Sequence, residues 1–286
     1  MTLPLDDSLL DDRLLAAIEA TAVELAQLGG TEIRAALGGM LRVKYKGLED
    51  DPTHLKDPVS EVDGRVETLI RERLSERFPD HDIVGEEFDQ RPALGHDFIW
   101  AVDPIDGTAN FINGFPLFAS SVGVLYRGCP IVGALWCSTS HALEPGVYHA
   151  TARPDAGAGS DGVKFNGAPL NHSPNPAVRR RLGGEPRASA KPVFGWDGRK
   201  TGSAAIECAF VAAGLLDMAW FERPNIWDVA GGMALVRASG RQALERNDEG
   251  WQAFDGFAGE EAEPGGWSAP VAIGSAAALE EFSRNW

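Results

Sequence analysis

The chain is poor in cysteine, in cationic side chains and in long apolar runs, and each shortage removes a class of protein. Three cysteines in 286 residues (Cys129, Cys137, Cys208) are too few and odd in number for a disulfide framework, and none has the CxxC spacing of a zinc or redox site. They read as reduced, buried thiols. Lys and Arg number 26 against 42 Asp and Glu, a net charge of −16 that argues against a nucleic-acid-binding surface. No apolar run reaches membrane-spanning length, which argues against a membrane partner. The start, Met1-Thr2-Leu3-Pro4-Leu5-Asp6-Asp7, is acidic and lacks the basic opening of a signal peptide, so the expected location is cytoplasmic. The histidines show no ligand spacing, the glycine-rich stretch at Gly157, Gly159 and Gly162 has no strand-then-helix context, and no internal repeat occurs. What remains is an apolar content of 44%, ordinary for a globular chain and sufficient for a large core or two sub-domains.

What is present is carboxylates at the junctions between elements. An apolar strand-like run, Phe98 to Val102, ends in Asp103-Pro104-Ile105-Asp106-Gly107-Thr108, followed by a helix start at Ala109-Asn110-Phe111. Hard oxygen ligands suit Mg²⁺, and N–H groups at a helix N-terminus suit phosphate. Asp57 to Asp63, Gly85-Glu86-Glu87 and Trp227-Asp228-Val229-Ala230-Gly231-Gly232 supply further acids. Two ions about 3.5–4 Å apart can hold the attacking water and the leaving oxygen of an in-line displacement. The spacing of Asp103 and Asp106 does not fit a DxD nucleophile, and Gly114 stands where an EF-hand needs its closing Glu. Singly, each acid has a plainer reading: Asp106-Gly107 as a turn, Ser60 or Glu61 as a helix cap, Asp228 as an N-cap, Glu86 and Glu87 as solvated surface. The functional reading rests on their joint occurrence at junctions, where functional side chains concentrate.

The spacing of apolar residues predicts a helix over 8–30 ended by Gly29-Gly30, a second helix from Thr31 to Leu37, a strand over 41–46 and a long helix from Asp57 to Phe78. Strands are predicted at Ile83-Val84, Ser120–Tyr126, Ile131–Cys137, Gly146–Thr151 and Val163–Phe165, with Asn166-Gly167 as a hairpin turn, forming a largely antiparallel sheet. Residues 173–202, with four prolines and the basic run Arg179-Arg180-Arg181, read as a surface excursion or an ordered loop. A helix over 202–215, a strand over 217–221, a helix from Asp228 to Ala238 capped by Gly240, then a last strand and helix complete the chain.

These four acidic stretches, in this order, resemble the inositol monophosphatase family of Mg²⁺-dependent, lithium-sensitive phosphomonoesterases. The residues from Trp100 to Thr108 with Asn110-Phe111 match its first signature, and Trp227 to Gly231 its second. The resemblance implies an α/β (α+β) fold layered αβαβα, with a large antiparallel sheet and a smaller mixed one. An N-terminal part, 1–150, would carry most metal ligands, and a C-terminal part, 151–286, Asp228 and the specificity residues. Glu86, Asp103 and the Ile105 carbonyl would hold a first ion, Asp103, Asp106 and Asp228 a second, and Glu86 a third. Thr108 with Asp63 would activate the water, with Glu87 in support. Gly107 and Thr108 N–H groups would bind phosphate beside Asp106, and Glu222, Ser203 and Ala204 the alcohol. The substrate implied is a small polyol phosphate, foremost inositol 1-phosphate, acted on by a homodimer. Histidinol phosphate, fructose 1,6-bisphosphate, 3′-phosphoadenosine-5′-phosphate and a regulatory binding role are the alternatives. Two departures, a shorter and more basic 173–202 and a Glu222–Asp228 spacing one residue short, fall where the alcohol should sit.

Overall fold

Helix α1 (Asp12–Ala36) begins at Asp11, whose side chain accepts from Leu14 N, and lays Ile18, Ala22, Leu25 and Ile33 against a sheet. The computed structural model describes residues 10–46, 58–88, 97–153, 162–172, 175–178, 181–187, 195–257 and 266–286. The expected break at Gly29-Gly30 does not occur; α1 runs through it. A Cβ on Gly29 would lie 2.2 Å from Ser120 Oγ, and one on Gly30 2.3 Å from the Trp136 ring. The glycines are there for close packing, which outweighs their cost of about 1 kcal/mol each in helix propensity.

Strand β1 (Val43–Tyr45) pairs antiparallel with β2 (Pro58–Ser60), which leads directly into α2 (Glu61–Arg77). The helix predicted from Asp57 thus starts at Glu61, after a short strand; Asp57 itself lies outside the described residues. Then come β3 (Asp82–Gly85), β4 (Phe98–Asp106), the short α3 (Thr108–Ile112), β5 (Ala119–Tyr126), β6 (Cys129–Cys137), β7 (Gly146–Thr151), β8 (Lys164–Phe165) and β9 (Ala168–Pro169). They form one seven-stranded sheet in sequence order, antiparallel except for the parallel pair β3–β4. The predicted meander and the Asn166-Gly167 turn are both found, with positive φ at both turn residues.

The second sheet corrects the reading of 173–202 as an excursion without regular elements. Leu182–Gly184 is β10 and Asp197–Arg199 is β11, paired parallel, and β10 also pairs parallel with β12 (Met218–Phe221). Gly183-Gly184 offers no side-chain alternation, so the strand is invisible to periodicity. Arg179 and Arg180 lie outside the described residues; Arg181 is half-buried. Helices α4 (Ala204–Ala212) and α5 (Ile226–Ala238) precede the hairpin β13 (Gln242–Asn247) and β14 (Gly250–Ala253), then β15 (Val271–Gly274) and α6 (Ala276–Asn285). The six-stranded order is β11-β10-β12-β15-β13-β14.

The layers follow from what each cluster buries. Helices α1 and α2 cover one face of the large sheet; α4 and α5 lie between the sheets; α6 packs Leu279 and Phe282 on the outer face of the second. This is the αβαβα layering expected. Among the described residues no helix is long and apolar enough to cross a membrane.

Candidate active site

The site is built where β3 and β4 end side by side. Gly85 pairs with Val102, so Glu86 and Asp103 leave the carboxyl ends of parallel neighbours together. Their carboxyl groups come within hydrogen-bonding reach of each other. Along β4 the register against β5 slips between Asp103 and Asp106: Asp103 faces Ser121 and Asp106 faces Ala119. Between these pairs two residues of β4, Pro104 and Ile105, thus oppose one of β5, Ser120, a bulge that accommodates Pro104 and alters the simple alternation of side chains. Asp103 and Asp106 consequently feel the same acidic neighbourhood.

Gly107 follows at φ 88°, a conformation that glycine alone adopts without strain, and turns the chain into α3. The Thr108 hydroxyl lies 2.9 Å from Asp63 Oδ1 and 2.8 Å from the Ile105 carbonyl. Asp63 is buried, and its other oxygen accepts from Ser60 N and Ser60 Oγ, at 2.9 and 2.5 Å. The plain and functional readings of Asp63 are therefore compatible: it closes a capping box on α2 and touches Thr108. Ser60, not Glu61, is the N-cap. Asp228 repeats the device on α5, accepting from Asn225 N at 2.7 Å; the N-cap there is Asn225 rather than Asp228.

Asp106 is bound by the start of α4. Ser203 Oγ and the N–H groups of Ala204 and Ala205 donate to it. Asn110 Nδ2 ties α3 to the same segment through the Thr201 carbonyl at 2.8 Å and Leu117 at 2.6 Å. Glu86 and Glu87 both accept from Lys46 Nζ, at 2.6 and 2.8 Å. Glu222 borders a pocket of about 520 Å³ that reaches Ala204 and Asp228, but its carboxylate takes Arg187 at 2.7 Å.

Two contributors were not legible beforehand. Lys46 continues the alternating Lys44-Tyr45-Lys46 pattern of a solvated strand, and only the β1–β2 pairing explains its approach to Glu86. Glu67 is fully buried on the apolar face of α2, accepts from Glu87 N at 2.8 Å and takes Arg71 at 2.8 Å. A Glu within the Val62, Val66, Ile70 stripe, four before an Arg, was the available signal.

The electrostatics are those of crowded buried acids. Burial first, then Glu86, Asp106 and Asp228, holds the Asp103 carboxyl well above the usual range. Burial and then Asp106 push Asp228 to about 8. Burial raises Asp106 to about 6 against the hydrogen bonds from Ser203 and α4, and raises Glu86 against the pull of Lys46. As they stand, no three of the His, Cys, Asp and Glu side chains among the described residues converge on one point, because Glu86, Asp106 and Asp228 are turned onto protein donors. Asp103 Oδ1 is buried with no hydrogen-bond partner. An orphaned carboxylate oxygen among mutually raised acids, with oxygen donors throughout, fits a hard divalent cation.

Deeper under α4, Glu207 is 4% exposed and accepts from Thr201 N and Oγ1. Burial pushes it to about 8. Its folded pKa lies above its unfolded one, so its contribution is present below about pH 4.5 and is lost as pH rises through about 8. Glu207→Gln keeps an acceptor for Thr201. We expect the variant to gain on wild type in denaturant unfolding between pH 5 and 8.5. Parallel stability curves would rule out a titrating Glu207.

Comparison with known proteins points the same way. A model of the inositol monophosphatase family matches residues 14–264. The chloroplastic phosphatase IMPL1 of Arabidopsis thaliana is 32% identical over 263 residues, 82% of this chain but only 64% of that protein's length. A fructose-1,6-bisphosphatase/inositol-1-monophosphatase of Aquifex aeolicus is 34% identical over 230 residues, 75% of this chain and 80% of that one. The structure of an inositol monophosphatase from Anabaena (Nostoc) sp. PCC 7120 superposes with a TM-score of 0.70 over 95% of this chain and 96% of that one, at 21% identity. That likeness speaks to the fold alone.

Proposed function

We propose, from the premise that this chain belongs to the inositol monophosphatase family, that it is a Mg²⁺-dependent phosphomonoesterase acting on a small phosphorylated polyol or sugar. The observation that carries this reading is the orphaned Asp103 oxygen among acids whose carboxyls burial, and then each other's charge, hold above the usual range. Glu86, Asp103 and the Ile105 carbonyl would hold one ion, Asp103, Asp106 and Asp228 a second, with Glu86 open to a third. Bound there, Mg²⁺ would neutralise phosphate oxygens and make water more acidic.

The chain's own groups supply the rest. Asp63 anchors the Thr108 hydroxyl, and the pair can orient a water and take its proton toward the carboxylate. Asp63 is fit for this because burial, opposed by Ser60 and Thr108, raises its carboxyl above the usual range. The N–H groups of Gly107 and Thr108 lie at the start of α3, where backbone donors lack helical partners and can receive a phosphate. Lys46 and Glu67 fix the Glu86-Glu87 turn from two sides. Inositol 1-phosphate is the first polyol to test. The bisphosphate reading gains from Arg187 and Arg223, both on the pocket wall.

Released phosphate across a panel of monoesters, with and without Mg²⁺, tests the proposal. Turnover should need Mg²⁺ and fall with millimolar Li⁺; full activity in excess chelator would refute it. Thr108→Ala should lower kcat by about 100-fold with little change in KM, since the lost contact strengthens in the transition state. A change confined to KM would leave Thr108 as a binding group only.

A further inference from the structure

The alcohol pocket has cationic groups that a neutral polyol does not require. Arg187 follows β10, and Glu222 and Arg223 follow β12, so two strands of the second sheet deliver three charged side chains to one wall. Ala204 and Asp228 line the same pocket, so these charged side chains share it with one member of the acidic cluster. Arg187 and Arg223 are exposed, and Arg187 holds both Glu222 oxygens within 2.7 Å. Among the described residues Arg223 has no ion-pair partner. In a chain of net charge −16, two guanidinium groups beside the acids stand out against the prevailing charge.

Guanidinium groups match the planar, forked geometry of carboxylate and phosphate oxygens, whereas vicinal hydroxyls need acceptors. The Glu222 carboxylate on this wall already serves Arg187. We propose, resting on the phosphatase reading above, that the preferred substrates are phosphomonoesters whose alcohol carries a second anionic group, a phosphate or a carboxylate, bound by Arg187 and Arg223. Glu222 occupies Arg187 until that anion displaces it. This assigns Glu222 a different part from the contact with the alcohol that the resemblance implies: it is an internal competitor that tunes affinity.

The experiment compares substrates differing in one anionic group: fructose 1,6-bisphosphate against fructose 1-phosphate, and 2-phosphoglycerate against glycerol 2-phosphate. The two pairs separate a second phosphate from a carboxylate. The readout is the ratio of kcat/KM within each pair. Wild type should favour the doubly anionic member of at least one pair. Arg187→Gln with Arg223→Gln should shrink that ratio by about 10-fold or more, the range expected for charge-assisted hydrogen bonds. Glu222→Gln should widen it by about 2- to 5-fold, the weight of an exposed ion pair. Arg13→Gln, on the exposed side of α1, controls for net charge and should leave it unmoved. Calorimetric binding of fructose 6-phosphate in excess chelator, where hydrolysis is blocked, should weaken in the double variant.

A ratio near one in both wild-type pairs, or equal loss on both members in the double variant, overturns the proposal while leaving the phosphatase reading intact. Failure to release phosphate even from 4-nitrophenyl phosphate in Mg²⁺ overturns that reading and this one with it.

Discussion

Asp103→Asn is expected to cut phosphate release by about a thousand-fold or more while making the metal-free protein more stable. The two effects have one cause. Asp103 is 2% exposed, has an oxygen without a protein partner, and is surrounded by Glu86, Asp106 and Asp228. A group so placed contributes nothing favourable to folding; burial and its neighbours act against its charge. Asparagine removes the ionisable group at nearly constant shape. A gain on the order of 1 kcal/mol would raise the melting temperature in chelator by about 2–4 °C for a chain of this size. The proposed bridge between ions is lost at the same time, so added Mg²⁺ should stabilise the variant less than wild type. Thermal scans with and without Mg²⁺ read both effects. A variant that melts lower in chelator, or turns over at the wild-type rate in saturating Mg²⁺, would refute the role assigned to Asp103.

That opposition between stability and function explains what could be read in the sequence. The acids at 86, 103, 106 and 228 were legible only together: each alone has an ordinary structural reading, and their joint occurrence at the junctions between elements is what pointed to a site. The strands β5 to β7 were legible because they are long apolar runs between turn signals. Strand β10 was not, since two of its three residues are glycines, nor was the hairpin β13–β14, whose half-exposed Gln, Glu and Arg residues alternate no more than a loop does. The run through Gly29-Gly30 was misread because propensity is a local quantity, while the reason for those glycines lies ninety and more residues away at Ser120 and Trp136. Lys46 and Glu67 share that property. Their partners are 40 and 20 residues distant, and only the β1–β2 pairing and the parallel β3–β4 pair bring them to the site.

The same long-range logic predicts the largest loss of stability. Gly123 and Gly133 face each other across β5 and β6, and α5 lies in the groove they leave. A Cβ on Gly133 would sit 2.0 Å from the Gly231 carbonyl oxygen, and one on Gly123 2.4 Å from Gly231 N. Both obstacles are backbone, so no side-chain rotation relieves them. Gly133→Ala must therefore push α5 off the sheet, and Asp228 stands three residues before Gly231 on that helix. We expect a loss of about 2–4 kcal/mol in denaturant unfolding. Where the fold survives, kcat/KM should fall by about 100-fold, as for an ångström-scale misplacement of a functional group. Gly64→Ala gives the opposite sign. Its Cβ meets nothing within 4 Å inside α2, so the substitution should stabilise by about 0.5–1 kcal/mol. If Gly133→Ala unfolded at the wild-type midpoint, α5 would not be seated in the groove, and the placement of Asp228 beside Asp103 and Asp106 would fall with it.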